Sequence, residues 1–393
     1  MTLAGRPAPI PLLDHATALL RRGDAAAARQ AFQHLFESGH EDIDVCLGLA
    51  YACAAEGDAA ATMAAVDGAL RLDPRELRAL LLKADLLERR GDPLADGYYG
   101  AALKIGDSLV APPAALRAAL EQARGALARS HARYESQLRQ HLTLVQSETG
   151  PLTERFERSL DLLTGKRRLY VQKPTLYHFP DLPQRQFFNR EEFSWIAAFE
   201  THTAEIRAEL QAVMASQPEF EPYLKSDPTR PTLNPTPLID RPDWGAYFLF
   251  KDGEPVPAHA ARCPRTMAAL AEVPLLRIPR RSPNVLFSLL KPGTHIPPHN
   301  GFVNTRLIAH LPLIVPPDCR LRVGNETRSW EEGRTWLFDD TIEHEAWNDS
   351  DDTRVVLLFE VWRPELDSAE RAQVTALFEA IEKHRGGIAG WGI

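Results

Sequence analysis

The sequence predicts an α+β chain in two parts, an α-helical repeat array followed by a β-sandwich or jelly roll of the cupin type, and three observations carry that prediction. The dipeptide Gly-Asp recurs at Gly23-Asp24, Gly57-Asp58 and Gly91-Asp92, at a constant spacing of 34 residues. Near residue 150 an Ala- and Leu-rich composition gives way to proline clusters. From Trp244 onward come short apolar segments of about five to nine residues, divided by Gly, Pro, Asn or Asp. Many short strands at such spacing, without helices between them, close on one another. At 393 residues the chain is longer than one core usually fills, so more than one domain is expected.

A period of 34 residues is that of tetratricopeptide (TPR) helix pairs. Each Gly-Asp is placed to turn one helix into the next, because Gly takes the left-handed conformation that ends a helix and Asp caps the helix that follows. Asp73-Pro74 stands where such a unit closes, and AARQAFQHL and MAAVDGAL supply the small and apolar residues of second helices. The first unit lacks the closing Pro, and the third, PLADGYYGAALKIG, departs from the pattern. Residues 114 to 147 read as one long amphipathic helix covering the open end of the array. The domains expected are 1–140 for the TPR-like array, 141–240 for a connecting helical and Pro-rich region, and 241–393 for the β core with a C-terminal helix.

In the connecting region KPTLYHFPDLPQRQFF and SDPTRPTLNPTPLIDRPDW are expected to be extended loops. Between them Asn189 is expected to cap one helix, REEFSWIAAFETHTAEIRAELQAVMAS, with Glu191 and Glu192 in its first turn. GAYFLFKDGEPV reads as a hairpin turning at Lys-Asp-Gly. The segments VLFSLL, TRLIAHLPLIV, CRLRV, RTWLF and RVVLLFEVW read as strands, RSWEEG as a connecting turn, and ELDSAERAQVTALFEAIEKHR as the last helix.

The charge balance, 45 basic against 53 acidic residues, argues against nucleic acid or an anionic membrane as the main partner. Four cysteines without a CxxC pair indicate neither a zinc knuckle nor a disulfide scaffold, and reduced thiols in a cytoplasmic protein are expected. The first thirty residues lack a basic start followed by an unbroken apolar run, and no segment approaches the roughly 18 apolar residues of a membrane span. Neither export nor membrane insertion is expected.

Residues 295 to 310, HIPPHNGFVNTRLIAH, concentrate histidines at the edge of an alternating pattern. His299 is expected in a Pro/Gly loop just before one strand, and His344, in FDDTIEHEAW, just before another. Two such positions can converge inside a jelly roll, and imidazole is the commonest metal ligand near neutral pH. A buried hydrogen-bonding histidine leaves the same trace in a sequence. Arg354 shares a strand face with Val356 and Leu358, and a guanidinium pointing into an apolar interior must be paired, either with a protein carboxylate or with a carboxylate ligand. Ser288 points to the same interior if Leu286 and Leu290 do. Two metal-type histidines with an inward arginine and serine describe a site for a metal-chelating dicarboxylate. His295 is separated from His299 by two prolines and reads as structural; Glu343 and Glu345 read as solvated or salt-bridged.

The segment from Lys291 to Leu366 resembles the aspartyl/asparaginyl β-hydroxylase family of iron(II)- and 2-oxoglutarate-dependent oxygenases, with PGTH, PHNG, RVGNETRSWEEG, FDDTIEHE and VWRPEL in family order. The likeness extends more loosely back to about Leu152, and animal members also carry TPR-like repeats ahead of the oxygenase domain. The resemblance implies a double-stranded β-helix in which His299 and His344 bind iron(II). It implies that Arg354 and Ser288 hold the distal carboxylate of 2-oxoglutarate, where a bidentate guanidinium suits the planar anion. His310 falls near the metal-side carboxylate, Arg306 on the substrate side, and Asp340 where it can orient a metal-bound water. Gly301 stands where the wider superfamily supplies a third, carboxylate ligand. The family is known for this Gly, and a halogenase is the mechanistic rival. Ile308 replaces an arginine of the animal members, which bears on the substrate. The implied activity is hydroxylation of the β-carbon of Asp or Asn in a peptide or protein that the helical array binds. The alternatives are hydroxylation of a small molecule or lipid acyl chain at the same site, or an inactive scaffold.

Overall fold

Gly23, Gly57 and Gly91 adopt left-handed backbone at φ 81°, 79° and 68°, so each ends a helix as the 34-residue spacing predicts. The computed structural model describes residues 10–216, 220–226 and 236–384. It divides into two units, Met1–Lys166 and Arg167–Ile393. The first contains three helical hairpins, α1 (Ile10–Arg21) with α2 (Ala25–Glu37), α3 (Ile43–Ala55) with α4 (Ala59–Leu72), and α5 (Leu77–Arg89) with α6 (Leu94–Gly106). Asp24 and Asp58 accept from the backbone N–H groups of Ala27 and Ala61, the caps anticipated for α2 and α4. In the third hairpin Pro93 occupies the cap position of α6 and makes no such bond.

Packing follows from small residues at the helix crossings. A Cβ at Gly48 would strike the Phe32 ring, so α3 approaches α2 more closely than any other residue there would allow. α7 (Ala114–Thr149) lays Leu120, Ala123 and Ala126 against α5 and α6, covering that end of the array as expected. The expected boundary at 140 falls inside α7. Its second half is tied to α8 (Glu154–Leu163) by the Arg139–Glu157 pair and to Lys166 through Glu135, which carries the first unit on to Lys166.

The second unit is built from two antiparallel sheets. Its strands are β1 (Phe187–Phe188), β2 (Glu221–Pro222), β3 (Trp244–Lys251), β4 (Glu254–Pro255), β5 (Val285–Leu290) and β6 (Thr294–His299), then β7 (Arg306–Ile314), β8 (Cys319–Val323), β9 (Glu326–Ser329), β10 (Trp336–Phe338), β11 (His344–Asn348) and β12 (Arg354–Trp362). The larger sheet runs β1-β10-β7-β12-β5-β3-β2, with β4 on β3, and the smaller runs β6-β11-β8-β9. The β3–β4 hairpin turns at Asp252 and Gly253, both at positive φ, where the Lys-Asp-Gly turn is predicted.

Period-two alternation decides which layer each side chain enters. Val355, Leu357, Phe359 and Val361 of β12 join Val285, Phe287, Leu307 and Leu311 in a core covered by α9 (Ile196–Glu200), α10 (Thr203–Ala215) and α12 (Pro264–Ala271). The short α11 (Pro257–Ala260) precedes α12, and α13 (Ser368–His384) closes the unit. The opposite face, with Leu286, Leu290, Ile308, Val356 and Leu358, meets Ile296, Leu321, Val323 and Ala346 of the smaller sheet. This second interior holds the site.

Two expectations change. The helix predicted over 190–216 is broken into a 3-10 turn (Arg190–Glu192), α9 and α10. The breaks let Trp195 and Phe199 both pack edge-on against Phe359 of β12, at 5.9 and 5.3 Å. The loop around 172–184 is extended as expected and is clamped by an ion pair, because Gln172 bonds Asp339, whose carboxylate lies 2.6 Å from Arg363, both fully buried. Residues 227–235 of the second Pro-rich stretch lie outside the described residues.

Candidate active site

His299 is the last residue of β6 and His344 the first of β11, and the strand register makes them direct partners. The sequence places both in loops ahead of strands; the structure makes them opposed ends of neighbouring strands, which fixes their separation more tightly. The two ring centroids lie 4.0 Å apart. The Nδ1–H of His299 donates to the Pro297 carbonyl at 2.8 Å, and that of His344 to the Ile342 carbonyl at 3.1 Å. Each bond sets the tautomer and leaves Nε2 as a lone pair. Burial lowers the pKa of both rings, and for His344 the neighbouring His299 adds to the effect. Both are held as neutral donors.

No carboxylate completes a triad; among the described residues no cluster of three His, Cys, Asp or Glu side chains is placed to hold a metal. The space is filled instead by Asp340. A Cβ built on Gly301 would lie 2.7 Å from Asp340 Oδ1 and closer still to Oδ2, and the Gly301 N–H donates to the Asp340 carbonyl at 2.6 Å. Asp340 Oδ1 has no hydrogen-bond partner among the described residues, and burial raises the carboxyl pKa.

On β12, Arg354 is 1% exposed and has no carboxylate partner among the described residues. Its guanidinium makes a long 3.4 Å contact from Nη1 to the Ser288 carbonyl, lies 4.6 Å from the Trp330 ring centroid, and leaves Nε unbonded. Burial pushes its pKa down to about 10. Ser288 stands on β5 opposite Val356, and its hydroxyl accepts from Trp244 Nε1 at 3.3 Å. His310 on β7 is buried, its Nδ1 unbonded, and its pKa is pushed down to about 3 by burial and then by Arg354. The imidazole pair and the guanidinium are bridged by ring contacts: His344 to Phe338 at 5.6 Å, Phe338 to His310 at 5.1 Å, and His310 to Trp330 at 6.0 Å.

The structure gives Arg306 a different setting from the substrate-facing one expected. Its Nη2 donates to Asp340 Oδ2 at 2.8 Å and its Nη1 to Glu360 Oε1, all three side chains being buried. Burial opposes its charge, yet the two carboxylates overcome that and hold its pKa up. Glu360 is fixed in turn by Ser282 Oγ at 2.6 Å and the Asn284 N–H at 2.9 Å. This triad was invisible in the sequence, since Glu360 stands 54 residues from Arg306. Alternation along RVVLLFEVW, which puts Glu360 on the face of Arg354, is the signal that could have found it. Of the remaining candidates, His295 bonds Glu345 at 2.8 Å and stacks on Trp347, while Glu343 and Glu345 both pair with Arg322, as their structural reading anticipates.

Residues 200–364 match the family described as Aspartyl/Asparaginyl beta-hydroxylase. The chain is 37% identical over 141 residues to the aspartyl/asparaginyl beta-hydroxylase of Mus musculus, spanning 36% of this chain and 19% of that protein. It is 36% identical over 180 residues to the ornithine lipid ester-linked acyl 2-hydroxylase of Rhizobium tropici, spanning 45% of this chain and 60% of that one. Among solved structures, the Yersinia enterocolitica chaperone SycD aligns with 32% of this chain and 84% of its own at 20% identity and a TM-score of 0.29, too low to define a shared fold. Residues 200–364 are thus similar to the aspartyl/asparaginyl beta-hydroxylase family, the chain spanning 19% and 60% of the length of these two curated relatives, and in this chain the matched segment is preceded by an array of helical hairpins.

Proposed function

We propose that the second unit is an iron(II)- and 2-oxoglutarate-dependent hydroxylase that acts on the β-carbon of aspartyl or asparaginyl residues in a peptide or protein. One observation carries the reading: two imidazoles with their Nδ1 positions occupied, their ring centroids 4.0 Å apart, share an interior with a buried guanidinium that has no carboxylate partner among the described residues. A lone cation is costly in such a place unless an anion joins it. The donor set thus suits the pair, His299 and His344 holding the metal and Arg354 and Ser288 the far carboxylate of the diacid. When bound, iron and 2-oxoglutarate supply oxidative chemistry in which O2 and decarboxylation to succinate place one oxygen atom in a C–H bond.

The protein's part is preparation. Neutral His299 and His344 need lose no proton to ligate. His310, held uncharged, adds no repulsion beside a cation. Asp340 occupies the space of a third ligand side chain while keeping one oxygen for a water in the outer shell. Tyr223 stacks on Trp244 at 4.2 Å, and Trp244 stands 6.2 Å from His299, so an aromatic wall limits water on that side.

A second reading, hydroxylation of a small molecule or acyl chain, is favoured by the neutralised state of Arg306, whose two carboxylate partners leave it poorly suited to bind a substrate carboxylate. The chain's likeness to an acyl hydroxylase accords with it. The test is to supply iron(II), 2-oxoglutarate and air with acidic peptide libraries or with acyl lipids. Succinate formed in step with a product heavier by one oxygen is expected, absent in His344→Ala, and the class of product decides the substrate. Absent succinate formation with both classes would leave an inactive scaffold, whereas succinate without a hydroxylated product would refute both substrate classes.

A further inference from the structure

Around Arg354, in the interior between the sheets, Arg354 Nε, His310 Nδ1 and Trp330 Nε1 have no hydrogen-bond partner among the described residues. Native proteins seldom strand buried donors, and a cluster of them marks a place where something else binds. The first two belong to residues already assigned to the diacid. Trp330 does not. It follows β9 in RSWEEG, a segment whose composition reads as a turn, yet its side chain is 6% exposed and lies in the core between the sheets. One ring neighbour is Arg354, 4.6 Å from its centroid, another is His310 at 6.0 Å, and Trp336 stacks on it at 5.9 Å.

Resting on the reading above, we infer that Trp330 is a co-substrate-binding residue: its indole N–H is a further donor to the distal carboxylate of the bound diacid, beside Arg354 and Ser288. Two features of the chemistry support this. Indole carries a single donor and no acceptor, so it selects for an anion oxygen. Its ring face against the guanidinium also keeps Arg354 in place while the site is open, a cation–π contact being strong where water is excluded. The same face leaves the in-plane N–H unused by the protein.

The inference makes the free and bound states respond in opposite directions. Trp330→Phe keeps an aromatic face for Arg354 and deletes the stranded donor, so the free protein loses no hydrogen bond. The full chain, loaded with redox-silent manganese(II), is titrated with 2-oxoglutarate by calorimetry, and its thermal midpoint is read without ligand. The expected result is a Kd raised about 10- to 100-fold, the range for a hydrogen bond to a charged group, with a midpoint no lower than native. The same titration with 2-oxobutyrate, which lacks the distal carboxylate, should show no difference between native and variant. Trp336→Phe, whose indole nitrogen is not stranded, should bind as native. If Trp330→Phe weakens the fold, 3-benzothienylalanine at position 330 replaces N–H by sulfur at nearly constant shape and should give the same rise. Native binding with a variant Kd within twofold overturns the inference; a native chain that binds no 2-oxoglutarate overturns the proposed function instead.

Discussion

Gly301 occupies its place for reasons of space, not of backbone conformation, and its replacement by alanine has a cost that the structure lets one work out. Its φ is not positive, so no strain arises there. A Cβ would lie 2.7 Å from Asp340 Oδ1 and closer to Oδ2, whereas ordinary contact begins at 3.4 Å. The carboxylate must then retreat by at least about 0.7 Å at the nearer limit and more at Oδ2, which is the oxygen bonded to Arg306. Asp340 is short and buried and cannot swing to solvent. Overpacking combined with a weakened buried ion pair should cost about 2–4 kcal/mol. For a unit of this size that corresponds to a fall of roughly 5–12 °C in the unfolding midpoint. The assay is intrinsic fluorescence, since all seven tryptophans lie beyond residue 166 and report on the second unit alone. In an Asp340→Ala background the same substitution meets no carboxylate and should cost under about 0.5 kcal/mol, so the pair is strongly coupled. A Gly301→Ala midpoint within about 1 °C of native, or equal costs in both backgrounds, would refute the steric argument and the placement of Asp340 with it.

Other outcomes follow from the same geometry. Arg354→Met should leave the midpoint of the metal-free protein unchanged or raised, because a buried cation without a carboxylate is removed, while 2-oxoglutarate binding weakens at least about 100-fold in calorimetry; a large stability loss would show that Arg354 is structural. His310, whose folded pKa of about 3 lies below the ordinary histidine value, leaves the unfolded chain to bind the extra proton. Its contribution to stability is therefore complete above about pH 6.5 and is lost as the pH falls toward 3. Denaturant midpoints in chelator should drop over that range, less steeply in His310→Gln. In the first unit, Gly57→Ala meets no steric contact but must hold φ near 79°, so a loss of about 1 kcal/mol should appear in the far-ultraviolet thermal transition.

How much of this was legible in the sequence differs from residue to residue. The hairpin array was readable because Gly-Asp punctuation is local: the glycine's φ and the aspartate's cap concern neighbours three residues away. Arg354, Ser288 and the inner face of β12 were readable from alternation, which is equally local. The strand ends at His299 and His344 were not, since HIPPH carries two prolines and alternates poorly, and its pairing with β11 arises from chain 45 residues away. The partners of Arg306 were hidden for the same reason, so an arginine expected to face substrate proved to be held by Asp340 and Glu360. Trp330 was concealed by its polar neighbours; the available signal was the residue type, because indole set among Arg, Ser and Glu is usually there to be buried.

The central claim is that His299 and His344 together hold one divalent cation. Titrating the full chain with manganese(II), followed by calorimetry, should give one site per chain that disappears in both His299→Ala and His344→Ala while the fluorescence transition of each variant stays cooperative. Undiminished binding in either variant, or no stoichiometric site in the native chain, would contradict it.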